Sequence, residues 1–163
     1  MGMLRESREG AKRANILIFS NCPEDMNADE RSFLINKSLK YLNHGIPVLF
    51  SNTNYLKPVK IFGSKLCKKA VVISSIAYPK KFFDYVHSEY DVIKQIEFDD
   101  HHEYTENEVH TIKDILDDNI SLIMTEKDAV KICEFSNILG PYSVYYIPIQ
   151  INFLFSNKLS EYI

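Results

Sequence analysis

Short apolar runs alternate along this chain with stretches in which apolar residues recur every three or four positions. Continuous apolar runs of this kind are typical of strands that are buried on both faces of a sheet. The pattern predicts strands over residues 15–19, 47–51, 69–75, 92–98, 120–124 and 143–149. Residues 52–62 fit no regular element, and Pro148 indicates either an edge position or the end of the last strand.

Helices are predicted between these strands from capping residues and from the helical spacing of apolar positions. Residues 27–30 (NADE) and 105–108 (TENE) have the spacing of capping boxes, and Pro79 suits a first helical position. The predicted buried stripes are Ile35, Leu39 and Leu42; Phe82, Phe83 and Val86; Val109, Ile112 and Leu116; and Ala129, Val130 and Cys133. Residues 4–13 and 156–163 are predicted as further, terminal helices.

This alternation of strands and helices predicts an α/β fold. Strands separated by helices of this length pair in parallel through crossover connections. We therefore expect a Rossmann-like three-layer domain, with a mostly parallel sheet and helices on both faces. The length of 163 residues favours a single domain over residues 1–163.

Composition and charge exclude several classes of protein. The hydrophobic fraction of 45% is ordinary for a globular protein, and the net charge of −3 argues against a nucleic-acid partner. Cys22, Cys67 and Cys133 form no metal-binding or disulfide pattern, so we expect reduced, buried or inert thiols. No signal peptide is apparent, and no apolar run reaches the roughly 20 residues of a membrane span. Scattered lysines between Lys57 and Lys69 would allow at most peripheral contact with anionic lipid.

The segment DDHH at residues 99–102 is the clearest candidate for chemistry. It follows a predicted strand, and ligands of such sheets bind at the carboxyl ends of strands. A histidine there titrates near neutral pH, and an adjacent carboxylate can orient it. The alternative is a solvated loop whose histidines merely cap the next helix. No further ligands complete a metal site, so none is predicted.

Two other charged segments have structural explanations. At residues 125–128 (TEKD), Thr125 at the N-cap and Asp128 at N3 would satisfy free amides at the start of a helix. We therefore interpret Thr125 and Asp128 as a structural helix cap. Arg5 and Glu6 lie in a polar segment that spacing alone would assign to a solvated helix face.

The sequence contains no phosphate-binding loop. Its glycines are isolated, and none precedes Lys-Ser or Lys-Thr as the GxxxxGK[ST] motif requires. These residues therefore offer no backbone cradle for a nucleoside triphosphate.

Several segments together resemble one family of enzymes. Phe98–Thr105 (FDDHHEYT) and Met124–Lys131 (MTEKDAVK) resemble the paired signatures of the tetraacyldisaccharide 4'-kinases. Leu4–Ala14 (LRESREGAKRA), Ser74–Phe83 (SSIAYPKKFF) and Tyr146–Ile149 (YIPI) resemble further family segments, in the family's order. The resemblance covers nearly the whole chain, and the chain corresponds to the C-terminal part of such an enzyme.

The resemblance implies a kinase that uses ATP and Mg²⁺ to phosphorylate the 4'-hydroxyl of a lipid A disaccharide precursor. It implies location in the cytoplasm, peripheral to the inner membrane of a Gram-negative bacterium. In the family, a P-loop domain holds the nucleotide and a smaller domain closes over it; residues 3–13 would be the linker helix. His101, with Asp100 beside it, falls on the histidine that pairs with a P-loop-domain aspartate to accept a proton. Arg5 falls on a phosphate-side contact, and Glu6 is its neighbour.

The chain also departs from the family pattern. Ser7 replaces a proline, Ser75 replaces a glycine before Ile76, and Asn21 stands where lysine is common. We therefore expect a chain that is inactive alone, binds no ATP or Mg²⁺ by itself and needs a P-loop domain as partner. The alternative is a stand-alone, non-catalytic module that binds nucleotide or an anionic lipid headgroup.

Overall fold

A computed structural model of the protein describes residues 8–43, 45–63 and 65–155. The strands are β1 Leu17–Phe19, β2 Val48–Tyr55, β3 Val59–Phe62, β4 Lys69–Ser74, β5 Asp91–Glu97, β6 Ile120–Thr125, β7 Ser143–Ile147 and β8 Ile149–Phe153. The helices are α1 Ala28–Leu39, α2 Lys80–Glu89, α3 Glu106–Lys113, α4 Glu126–Ile132 and α5 Ser136–Leu139, with 3-10 helices at Arg8–Arg13 and Cys133–Phe135. The predicted helix over 156–163 lies outside the described residues, as do residues 4–7 of the first predicted helix.

The chain forms two compact units. Unit 1 consists of residues 1–54 and 150–163, and unit 2 of residues 55–149. Unit 1 contains a three-stranded sheet of order β1-β2-β8, whose end residues Tyr55 and Ile149 belong to unit 2. Unit 2 contains a five-stranded sheet of order β3-β7-β6-β4-β5. That residues 1–163 form a single domain stays a prediction.

The five-stranded sheet confirms the predicted α/β class. Strand β4 pairs in parallel with β5 and with β6, and β6 pairs in parallel with β7. Only the edge pair, β3 with β7, is antiparallel. Because parallel neighbours need crossover connections, the helices between these strands must lie over the faces of the sheet.

Helices cover both faces of this sheet, as predicted. On one face α2 packs Phe82, Phe83 and Val86 against Ala70 and Val72 of β4. On the other face α3, α4 and α5 pack against the alternate strand residues. This second layer is formed by Val71 and Ile73 of β4, Leu122 and Met124 of β6, and Val109, Ile112, Ala129, Ile132 and Leu139 of the helices. Alternate residues of β4 thus enter two different cores, as the pleat of a strand requires.

Two predictions about unit 1 are wrong. Strand β1 is not buried on both faces, because Ile18 is 42% exposed. In α1, Leu39 is 53% exposed, whereas Ile35 and Leu42 are half-buried. The residues of this stretch that turn inward include Leu34 and Ser38, so the half-buried face is offset from the predicted stripe.

Residues 52–62 are more regular than the sequence indicated. Strand β2 continues through the polar residues 51–54 to Tyr55, and β3 follows directly. Ser51 and Asn52 are buried, because β2 is the central strand of its sheet. After Pro148, which ends β7 as predicted, the additional strand β8 begins.

The predicted buried face of α4 is also wrong in part. Ala129 is buried, but Val130 is 71% exposed and Cys133 is exposed. The inward face consists of Asp128, Ala129 and Ile132. A charged residue at a core-facing position hid the true stripe from a hydrophobicity pattern. Cys22 and Cys67 are buried, and the three cysteines Cys22, Cys67 and Cys133 form no disulfide with one another.

Candidate functional site

The candidate site lies at the carboxyl edge of the five-stranded sheet. There β4 ends at Ser74, β5 at Glu97 and β6 at Thr125. The chain leaves β4 towards β5 on one side, and leaves β6 towards β7 on the other. Such a reversal of direction opens a crevice at the strand ends, which is where sheets of this class bind ligands.

His101 is an exposed residue at these strand ends. Its side chain is 84% exposed, and Nε2 lies 3.7 Å from Oδ2 of Asp100, whose side chain is 48% exposed. Its backbone φ is 63°, a left-handed conformation that is uncommon for residues other than glycine. The His101 N–H donates a hydrogen bond to the carbonyl oxygen of Ser75 at 3.1 Å. The loop after β5 is thereby attached to the end of β4.

His102 has the opposite environment. Its side chain is only 25% exposed, and its ring stacks on Phe98 and meets Tyr104 edge-on. Its Nε2 lies 3.1 Å from Oε2 of Glu108. His102 is therefore an anchor of the loop, and His101 is the histidine that another molecule can reach.

Glu108 connects His102 to the start of α3. Its Oε2 accepts hydrogen bonds from the Thr105 N–H and the Thr105 hydroxyl, both at 2.8 Å, so the predicted capping box of α3 is confirmed. The hydrogen bond from the Thr105 N–H is the largest cause of a pKa of Glu108 below its ordinary value. The contact with His102 and the hydrogen bond from the Thr105 hydroxyl lower this pKa further. The ionised carboxylate of Glu108 is therefore the favoured form. It joins the N-cap residue of α3, Thr105, to His102 in the preceding loop.

Asp128 is a buried hydrogen-bond acceptor beneath these strand ends. Its side chain is fully buried on α4, and it accepts hydrogen bonds from Ser75, Tyr104 and Thr125. The Ser75 hydroxyl donates at 2.5 Å and the Ser75 N–H at 3.1 Å. The Tyr104 hydroxyl donates at 3.0 Å and the Thr125 hydroxyl at 2.6 Å. A buried carboxylate requires this number of donors to offset its lost hydration.

Tyr104 acts as a donor in this cluster. Burial, and then the neighbouring Asp128 carboxylate, raises the pKa of Tyr104 well above its ordinary value. Its hydroxyl therefore stays protonated at any physiological pH and can donate to Asp128 throughout.

The predicted site residues fall into three groups. Asp100 and His101 lie together on the loop after β5, whereas Arg5 and Glu6 lie outside the described residues. Thr125 is the N-cap residue of α4, and its hydroxyl accepts a hydrogen bond from the Asp128 N–H. The carboxylate of Asp128 does more than cap the helix, because it also holds loops from two other strands.

Sequence reasoning missed three contacts of the loop: Ser75 and Tyr104 donate to Asp128, and Nζ of Lys131 donates to the His102 carbonyl oxygen. The signal was present, because all three residues lie within segments that carry the family resemblance. The family resemblance led us to expect a glycine at position 75, but the φ of Ser75 is not in the left-handed region and its hydroxyl donates to Asp128. A serine side chain therefore fits this position and adds a hydrogen bond.

Other potential sites are less developed. A shallow pocket of about 470 Å³ beside α2 is lined by Tyr78, Phe83, His87 and Glu97, among others. Within residues 8–43, 45–63 and 65–155, no three His, Cys, Asp or Glu side chains are grouped to hold a metal ion. No helix in the same ranges combines the length and the apolar character that crossing a membrane requires.

The fold and the geometry of the strand ends define a doubly wound α/β protein with an exposed histidine on the loop after β5, attached to the carboxyl end of β4. The family model for Tetraacyldisaccharide-1-P 4'-kinase matches residues 1–163, and the chain belongs to this family.

Curated relatives agree with this assignment. A Tetraacyldisaccharide 4'-kinase of Cytophaga hutchinsonii is 33% identical, over 92% of this chain and 44% of the relative. Those of Flavobacterium psychrophilum and Flavobacterium johnsoniae are 30% and 31% identical, over 99% and 94% of this chain and 49% and 44% of the relatives. The chain thus spans about half the length of the curated relatives it matches. No solved structure matches it significantly.

Proposed function

We propose that this chain is the C-terminal part of a kinase that phosphorylates the 4'-hydroxyl of a tetraacyldisaccharide 1-phosphate, the lipid A precursor. Family membership over residues 1–163 supports the reaction class. The observation that carries the proposal is the position of His101, whose ring is 84% exposed at the carboxyl edge of the sheet. A packed ring at this position would have left the expected base out of reach of a substrate.

In this proposal His101 accepts the proton of the attacking sugar hydroxyl, together with an aspartate of the P-loop domain. A positioned base of this kind typically contributes about 10²–10⁴-fold to a rate. Asp100 orients the imidazole, since its Oδ2 lies 3.7 Å from Nε2 of the ring. Arg5 and Glu6 contact a phosphate or the substrate; both roles rest on the family resemblance.

The residues of this chain do not fit an ATP–Mg²⁺ site of their own. The sequence has no GxxxxGK[ST] loop, and the described carboxylates form no metal-binding group. ATP and Mg²⁺ therefore enter the proposal only through a P-loop domain, and we expect the chain alone to be inactive.

Unit 1 supports the need for such a partner. Large apolar side chains of this unit are exposed: Ile18 by 42%, Phe33 by 64%, Leu39 by 53% and Ile151 by 53%. Large apolar side chains left exposed in one part of a protein can be covered by a partner, and the relatives contain about as much additional chain again. We place the reaction at the cytoplasmic face of the inner membrane, with peripheral contact only, because the substrate is a lipid.

A chimera tests the proposal directly. In the Flavobacterium psychrophilum kinase, which matches 99% of this chain, the matching half is replaced by residues 1–163. We expect the chimera to phosphorylate tetraacyldisaccharide 1-phosphate with ATP, and the isolated chain to form no product.

The unmodified F. psychrophilum kinase is the positive control, and circular dichroism checks that the chimera is folded. A folded chimera that forms no product, beside an active parent, would exclude the proposed function. Binding of nucleotide or anionic lipid by the isolated chain, beside an inactive chimera, would favour the non-catalytic module instead.

A further inference from the structure

We propose that Asp128 and Lys131, three residues apart on α4, are positioning residues that hold the histidine loop, residues 99–105, and thereby fix His101. The effect on reaction rate rests on the proposed function, whereas the effect on the loop does not.

Asp128 connects the loop to the end of β4. Its Oδ1 accepts hydrogen bonds from the Tyr104 hydroxyl at 3.0 Å and from the Ser75 hydroxyl at 2.5 Å. The carbonyl of the same Ser75 accepts the His101 N–H at 3.1 Å. One buried carboxylate therefore holds the C-terminal part of the loop directly and the His101 backbone through a single intermediate residue.

Lys131 holds the middle of the loop. Its Nζ donates to the His102 carbonyl oxygen at 2.5 Å and lies 3.6 Å from Oε1 of Glu103. Only 23% of the Lys131 side chain is exposed, so most of this side chain is covered by the fold. A hydrogen bond from an ammonium group to a carbonyl oxygen is charge-assisted, and such bonds are stronger than those between neutral groups.

The conformation of His101 makes such support necessary. A φ of 63° is unfavourable for a residue with a Cβ, and it persists only where the surroundings impose it. The ring of His101 is too exposed to be held by packing. The restraint must therefore act on the backbone on either side, where Ser75 and Lys131 bind.

Helix capping alone does not explain these contacts. A cap accounts for the hydrogen bonds between Thr125 and Asp128. It does not account for the bonds that the Asp128 carboxylate accepts from Ser75 and Tyr104, across 53 and 24 residues of sequence. Nor does it account for Lys131, which lies in the last turn of α4 and not at its start.

Amide hydrogen exchange in the 163-residue chain tests the restraint. We expect Lys131→Met and Asp128→Asn each to lower the protection of the His101 amide by about tenfold or more, since the loop then opens locally. Protection of Leu122, in the centre of β6, should stay within about twofold of wild type. Lys131→Arg, which keeps a cationic donor, should restore most of the protection at His101.

Lys127→Met is the matched control, because Lys127 is an exposed lysine of the same helix. Unchanged protection of the His101 amide in Lys131→Met would overturn the proposal. So would an equal loss in Lys127→Met, because the effect would then come from α4 in general. If Asp128→Asn unfolds the chain, the comparison of Lys131→Met with Lys131→Arg decides alone.

The chimera separates this inference from the proposed function. There, Lys131→Met should lower kcat by about 10- to 100-fold while KM for ATP stays unchanged, because a misplaced group costs rate and not nucleotide binding. Local loss of protection with an unchanged kcat would refute the catalytic importance of the two residues. An inactive chimera would refute the proposed function, and the exchange result would still decide whether α4 holds the loop.

Discussion

Units 1 and 2 use the same local device with different tertiary results. Helix α1 of unit 1 begins with a capping box between Asn27 and Glu30, and α3 of unit 2 begins with one between Thr105 and Glu108. Yet α3 buries Val109 and Ile112 completely, whereas none of the residues Ala28–Leu39, all of them described, is buried.

The comparison shows what a cap does and what it leaves to packing. A capping box satisfies free amides and sets where a helix begins. Most of a helix's stability in a protein comes from burying one face. Unit 2 supplies that burial from within its own residues, and unit 1 does so to a much smaller degree.

Removing one leucine from each unit should give the largest difference. Leu122 of β6 is fully buried, so Leu122→Ala should lower the free energy of unfolding by about 2–5 kcal/mol. Leu39→Ala should cost less than about 0.5 kcal/mol, because that side chain is already 53% exposed. Urea unfolding of the 163-residue chain, followed by circular dichroism, measures both.

A loss at Leu39 as large as that at Leu122 would break the comparison, because it would show that α1 is packed in solution. A conservative Leu122→Met variant controls for the position, and we expect it to cost less than about 1.5 kcal/mol.

Removing one capping-box carboxylate from each unit should give a smaller difference, visible in how the free energy of unfolding depends on pH. The pKa of Glu108 is lower in the folded chain than its ordinary value, so the carboxylate contributes stability above about pH 4.5. That contribution is lost as the pH falls through the lowered pKa. Glu108→Gln should therefore flatten the acid side of the stability curve, measured as urea midpoints between about pH 6 and pH 3.

Glu30→Gln is the corresponding change in unit 1. Glu30 accepts a hydrogen bond from the Asn27 N–H, whereas Glu108 accepts from Thr105 twice and faces His102. We expect the change at Glu30 to alter the curve less. Equal flattening by both variants would show that the contacts of Glu108 with His102 and the Thr105 hydroxyl contribute little.

Much of the fold could be predicted because its signals are local. Both capping boxes occupy four consecutive residues, and β4 and β6 are continuous apolar runs. The antiparallel edge strand β3 could not be predicted, because its residues are exposed or half-buried and form no continuous apolar run. The polar end of β2 was missed for a similar reason, since its central place in a sheet depends on its neighbours.

The candidate site could be predicted only in part. The sequence pointed to His101, because DDHH follows a strand end in a recognisable family segment. Only the position in the family motif favoured His101 over His102, since it is packing against Phe98 that makes the second histidine an anchor. It also assigned Asp128 to a cap alone, because the donors Ser75 and Tyr104 are brought to it by the sheet and not by sequence proximity.

The most direct test of the account is the rate of the chimera with and without the exposed imidazole. His101→Ala should lower kcat for phosphorylation of tetraacyldisaccharide 1-phosphate by about 10²–10⁴-fold, without changing the urea midpoint of the isolated chain. His110→Ala, which removes an exposed histidine of α3, should leave kcat within about twofold of the unsubstituted chimera. A His101→Ala chimera as fast as the His110→Ala chimera would contradict the account.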